Sequence, residues 1–317
     1  MLRWQEVADS LKSRLLHADG REIAPGVVMH FSSEAVGGFP FNVDAVLTDV
    51  TLDVNCTHGR LAWRADHFAI HELTFGRTQE IFEAAGRQEL SWTDTRGLAH
   101  RFTFVPGSLR ASAIASGGRL VRFDLDIDGI SSGDLWGART QLHLRQASDH
   151  DAIDVALSAE ALHLSPVLQA GFESYIDHLR IAGTLSHAAV FSRLRAGHDE
   201  WRTALEKWRK SNGTLRLDQI EIRFGKIAAV GNGNLGIDPM HRPNGILALR
   251  IAGAKILSSA GTAESPFAGA LAGLTTVTPM RADPMRALVA IHDGRVNVAA
   301  AGVAHTELPA GSVEPFY

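Results

Sequence analysis

A single cysteine, Cys56, is all that the 317 residues contain, which excludes an internal disulfide, a cysteine-based zinc site and a CxxC redox pair. Lysine is scarce as well, confined to positions 12, 207, 210, 226 and 255. The formal charge of -4 and the isoelectric point near 6.4 leave no global basic excess, which argues against a general nucleic-acid binder. No stretch approaches the roughly 18 consecutive apolar residues of a membrane span, and the N-terminus lacks the apolar core of a secretory signal.

Reactive constellations are missing too. No G-x-S-x-G elbow is present for a serine nucleophile. Cys56 and His58 share a strand face, but no third group orients the histidine, so catalysis there is not expected. The 15 histidines are scattered. The best pair, His67 and His71, lies in FAIHELTF, which reads as strand and would hold the two rings about 13 Å apart, too far for one metal. Asp149-His150-Asp151 reads as a charged loop. Gly231-Asn-Gly233-Asn-Leu-Gly236 matches G-x-G-x-x-G literally. No helix follows it to bind a phosphate, so a hairpin turn is expected instead. Asp124, Asp126 and Asp128 alternate along a strand as a solvated face, with an Arg partner nearby. The expectation is a protein that is not an enzyme and has no catalytic residues, cofactor or metal.

What the chain does have is alternation. Between Thr214 and Gly253, Leu215 and Leu217 share one face while Ile220, Ile222 and Phe224 run in the opposite phase. An extra residue near Asp218 or Gln219 is needed to keep one face apolar, so a bulge is expected there. Pro239 and Pro243 mark a turn. In the strand after Gly37-Gly38-Phe39-Pro40-Phe41, the residues Phe41, Val43, Ala45 and Leu47 oppose Val46, Val50, Leu52 and Val54. That strand is therefore apolar on both sides or bulged. Further strands are expected over 60–75, 89–92, 100–105, 120–130, 141–145, 153–164, 179–185 and 295–301. Residues 2–17 read as an amphipathic helix that packs on the sheet or continues a missing membrane anchor. Residues 198–210 read as a helix with Asp199 as cap and Trp201, Leu205 and Trp208 on one face. Shorter helices are expected over 166–176, from Pro266, and from Asp283-Pro284 through Ile291. The fold class is mainly β, a large curved antiparallel sheet, half-barrel or groove-like, with a few packing helices. One continuous domain, 1–317, is expected, with a soft division near 190.

GGFPF before a long strand, IDHLRIAGTL at 176–185, GNLGIDPMHRPNGILALRIAG at 233–253 and the closing DGRVNVAAAG together resemble the proteobacterial domain of unknown function 2125 family, nearly end to end. The resemblance implies an envelope protein at the periplasmic face of the inner membrane, with an N-terminal anchor that this chain lacks. The hairpins are similar to those of AsmA-like proteins, which implies a curved sheet with an apolar concave face able to shelter lipid tails. Bare apolar sheet of several hundred Å² would forfeit on the order of 10 kcal/mol, so such a face must be filled. The expected function is therefore non-enzymatic binding or transfer of a lipid or other hydrophobic molecule. The expected lining is Val121, Phe123, Leu125, Leu217, Ile220, Ile222, Phe224, Leu247 and Leu249. The alternatives are a structural protein docking an envelope partner without a small ligand, and a hydrolase of unfamiliar type. No nucleic-acid partner is expected.

Overall fold

The computed structural model describes residues 2–24, 26–56, 59–74, 79–93, 98–116, 119–132, 136–148, 151–163, 175–191, 201–225, 227–252 and 284–300. The fold is mainly β, a large open antiparallel sheet that is not closed into a barrel, with few helices. No helix among the described residues is long and apolar enough to cross a membrane. Contacts group the chain into two compact units, one of Met1–Gly133, Gln141–Gln146 and Ala189–Leu205, the other of Asp134–Thr140, Ala147–Ala188 and Glu206–Tyr317.

In the first unit, helix α1 (Leu2–Ala18) is followed by β1 (Arg21–Ala24), β2 (Val27–His30), β3 (Ser33–Gly37), β4 (Asn42–Cys56), β5 (Gly59–Leu73), β6 (Gln79–Thr93), β7 (Ala99–Phe104), β8 (Ser108–Ser116) and β9 (Arg119–Ser131). The amphipathic N-terminal segment packs on the sheet: Ala8, Leu11 and Leu15 are buried with Val43, Ala45, Leu47 and Val50 of β4. Its ends are tied down as well. The Trp4 indole donates to the Asn42 carbonyl at 2.8 Å, and Arg14 bonds Glu72 and Glu80. Strand β4 takes the bulge-like route to a single apolar face. Asp49 adopts φ 51°, and the buried positions change phase from Val43, Ala45 and Leu47 to Val50 across it.

The second unit is an antiparallel succession with each strand paired to the next: β11 (Ile153–His163), β12 (Tyr175–Leu185), β13 (Leu215–Phe224), β14 (Ile227–Ile237), β15 (Pro243–Ala252), β16 (Met285–His292) and β17 (Arg295–Ala300). Strand β10 (Trp136–Gln146) precedes them, and helix α2 (Trp201–Lys210) lies between β12 and β13 in sequence. Ala204, Leu205 and Trp208 are buried, the last at 4% exposure with its indole donating to the Ser186 carbonyl at 2.7 Å. The Trp201 side chain and Asp199 lie outside the described residues. Asn212 at φ 55° ends this helix, and the Gly213 amide donates back to the Trp208 carbonyl at 2.9 Å.

The expected bulge is present. Leu217 pairs with Gly233 but Ile220 with Gly231, and on the other side Ala182 and Gly183 face Gln219 and Leu217, leaving Asp218 as the extra residue.

Three expectations are corrected. Gly231-Asn-Gly233-Asn is no hairpin turn; it is the middle of β14, and the chain reverses at Gly225, φ 54°. Glycine is required there because a Cβ at Gly231 would collide with the Ala248 carbonyl oxygen, and one at Gly233 with that of Ile246. The segment after Pro284 is a strand, β16, because Met285, Ala287, Val289 and Ile291 alternate and find partners on β15. Proline at the edge of that strand is tolerated for the same reason it is at a helix start, the absence of a needed N–H. Tyr175 and Ile176, read as the end of a helix, begin β12. The rest of that helix, the one from Pro266, Cys56 with His58, and most of Asp149-His150-Asp151 lie outside the described residues or side chains.

Gly231→Ala is expected to destabilise the protein by about 1–3 kcal/mol in urea denaturation, by overpacking against a backbone that cannot yield. Gly37→Ala, where an added methyl meets nothing within 4 Å, should stay within about 0.5 kcal/mol. Equal effects at the two sites would show that the strands around Gly231 are not held at this separation.

Candidate functional site

The register of the second unit assembles four lateral rows on one face. They run Leu185–Leu215–Leu235–Gly245–Ile291, Gly183–Leu217–Gly233–Leu247–Val289, Ile181–Ile220–Gly231–Leu249–Ala287 and Leu179–Ile222–Ala229–Ile251–Met285. Strand β11 extends each row with Ile153, Val155, Leu157 or Ala159. No polar or charged side chain falls on any of these positions. Strand spacing and rise make the face roughly 24 Å by 20 Å, which at about 25 cal/mol per Å² is on the order of 12 kcal/mol of burial.

Burial is graded across it. Leu217, Ile220, Leu249, Ile251 and Val289 are between 1% and 7% exposed. Toward β11 and β12 the face opens, with Ile153, Val155, Leu157, Leu179, Ile181 and Leu185 only half-buried. The glycines matter for shape as well as spacing. Gly183, Gly231, Gly233 and Gly245 remove side chains at positions flanked laterally by Leu, Ile or Val, so the face is ridged rather than flat.

Six of the expected lining residues, Leu217, Ile220, Ile222, Phe224, Leu247 and Leu249, lie together on this unit's face. Val121, Phe123 and Leu125 belong to the first unit, half-buried on β9, where Phe123 pairs with Ala113 and Leu125 with Ala111. The contribution of β16 and of the β14 glycines was missed from the sequence. The alternation of Met285, Ala287, Val289 and Ile291 was the signal available, obscured by the Asp-Pro before it.

A polar cluster stands at the loop end of β14 and β15. Asp238, 4% exposed, accepts from the backbone amides of Met240 and Arg242 at 2.8 and 2.9 Å and from Arg242 Nε at 2.8 Å. Burial works to raise its carboxyl, but these donors outweigh it and hold the pKa below the ordinary value. Arg209, then Lys210 and His241 with hydrogen bonds, pull Glu206 far below the usual carboxylate range despite an opposing desolvation. His241 Nε2 sits 3.1 Å from Glu206, which links α2 to the β14–β15 turn. Arg242 also reaches Asp293 at 3.2 Å, so these contacts tie the β14–β15 turn to α2 and to the turn after β16.

Two further acid–histidine pairs are hydrogen-bonded in the first unit. Burial raises Asp124, but bonds from His143 at 2.7 Å and Arg122 at 2.6 Å keep it below its ordinary value, so the expected Arg partner is there. His71 Nδ1 meets Asp44 at 2.7 Å.

These features define a class: an antiparallel β protein whose second unit carries a broad aliphatic face free of charge. The chain belongs to a bacterial family described as uncharacterized protein conserved in bacteria, DUF2125, whose model matches residues 4–307. No curated protein and no solved structure matches it.

Because Glu206 and Asp238 are depressed in the folded state, their stabilisation is complete above the ordinary carboxylate pKa of about 4 and is lost as pH falls toward their folded values. Melting temperature should therefore fall steeply below about pH 4, and Glu206→Gln should flatten that acid limb while costing stability at pH 7. An acid limb unchanged in the variant would remove Glu206 from the account.

Proposed function

We propose that the protein is a non-enzymatic component of the bacterial envelope that holds, or helps transfer, a lipid or other hydrophobic molecule on the aliphatic face of its second unit. The carrying observation is that face itself, with four rows across six strands, no polar position, and a half-buried flank at β11 and β12. A pocket for a small polar substrate carries a few placed polar groups that fix orientation. A face without any recognises only apolar length, as acyl chains offer. The resemblance of the hairpin pattern to AsmA-like proteins supports the same reading by analogy, and the family resemblance favours the periplasmic side of the inner membrane.

The test is organic extraction of the purified protein followed by mass spectrometry, with binding of a fluorescent fatty acid as second readout. The expectation is co-purifying acyl lipid and saturable probe binding. Leu157→Glu and Ile181→Glu, on the half-buried flank, should weaken probe binding by tenfold or more, since burying a charge against hydrocarbon is costly. Variants that stay folded by circular dichroism and bind as the native protein does would overturn the proposal, as would a native protein with neither lipid nor probe affinity.

A further inference from the structure

The opposite face of the same strands carries a feature that the lipid reading does not use. Arg250 of β15 and Arg286 of β16 are direct cross-strand partners, both exposed. Like charges placed opposite one another on a sheet repel and cost stability. Neither forms an ion pair among the described residues. Arg250 also pairs across the other side with Val230, which pairs with Glu221. Glu221 in turn faces Arg180 and approaches His178 at 3.8 Å. Arg223, exposed and likewise without an ion pair among the described residues, lies two strands from Arg250, roughly 12 Å away by strand geometry.

Beside the arginines this face carries Asn232 and Asn234, and among them exposed aliphatic residues where water should favour polar ones. Val230 is 46% exposed, Leu288 52% and Ile246 57%. Leu288 lies two residues beyond Arg286 on β16 and pairs with Ala248, and Ile246 pairs with Ala290, so the apolar residues continue directly from the Arg250–Arg286 pair. The Arg216–Asp218 ion pair stands on the β13 side. The whole chain carries a charge of -4, so attraction to an anion has to be local.

We propose that this face docks on an anionic phospholipid surface, Arg250, Arg286 and Arg223 meeting lipid phosphates while Val230, Ile246 and Leu288 enter the interfacial region. Charge complementarity selects an anion. The aliphatic residues select a bilayer over a nucleic acid or an acidic peptide, since only the bilayer offers hydrocarbon just beneath its phosphates. A guanidinium pair with no carboxylate between its members is suited to phosphate, which accepts its N–H groups in a fork. The proposal goes beyond the ligand reading of the other face and stands whether or not that face holds lipid.

The test is co-sedimentation of the full chain with vesicles of phosphatidylcholine alone and with vesicles containing a third phosphatidylglycerol. Binding is expected only to the anionic vesicles, weakening as sodium chloride is raised. Each arginine near such a surface contributes about fivefold in partitioning, so Arg250→Gln/Arg286→Gln should lose about 25-fold. Arg250→Glu replaces a repelling pair with an attracting one, so it should bind at least as weakly as Arg250→Gln while melting no lower than the native protein. Leu288→Ser should weaken binding without altering its salt dependence. Equal binding to both vesicle types, no binding to either, or a double variant that binds as the native protein does would each overturn the proposal.

Discussion

The sidedness of the β11–β16 sheet hangs on one extra residue. Side chains alternate with period two, so a strand whose apolar positions change phase midway would turn half of them to the wrong face. Asp218 absorbs that change in β13, and Leu217 and Ile220 consequently share a face. Because β13 lies between β12 and β14, its register fixes theirs, and through β14 that of β15 and β16. Asp49 does comparable work in β4 of the first unit by a different route, a left-handed φ of 51°. In both places the residue at the phase change is an aspartate whose carboxylate accepts from a neighbouring side chain, Arg216 for Asp218 and Ser32 for Asp49.

Phase is also what made much of the fold readable from residues alone. The bulge at Asp218, the packed N-terminal helix and most strand positions followed from counting where apolar residues fall. Several of the failures arise at glycine, proline and small residues, whose local preferences point one way while pairing decides another; the short strands β1 and β2 were not read either. Gly231 and Gly233 read as turn because glycine is common in turns, yet they serve close approach of neighbouring backbones. Asp-Pro before Met285 read as a helix start, although the alternation after it belonged to a strand. β8, SLRASAIAS, went unread because Ser and Ala give little contrast between its two faces. The first half of β6 was hidden by Gly86, at φ 77°, where the pairing with β5 slips by one residue. Propensity is local, and a strand's partner is not.

For the candidate site the limit is of another kind. Six of the residues expected to line a groove fall on one face because β15 alternates cleanly and the bulge at Asp218 brings the two halves of β13 into one phase. Val121, Phe123 and Leu125 alternate just as cleanly and belong to the first unit. Alternation tells which residues share a face of their own strand; it carries no information on which strands adjoin. The arginine pair on the outer face was invisible for the same reason, since Arg250 and Arg286 become neighbours only through the pairing of β15 with β16.

On the two proposals, the faces of these strands would divide the work of recognition. Four rows without a polar position can hold a chain of methylenes but cannot tell one headgroup from another, because discrimination needs a donor or acceptor left unpaired by the wrong ligand. The cluster at Glu206, Asp238 and Arg242 is internally saturated and offers little to a ligand. Cationic groups without an ion pair among the described residues lie instead on the opposite face, in Arg223, Arg250 and Arg286, where on the docking proposal they would meet a surface rather than a single molecule. A protein that worked in this way would take its selectivity from where it docks and its capacity from what its aliphatic face shelters.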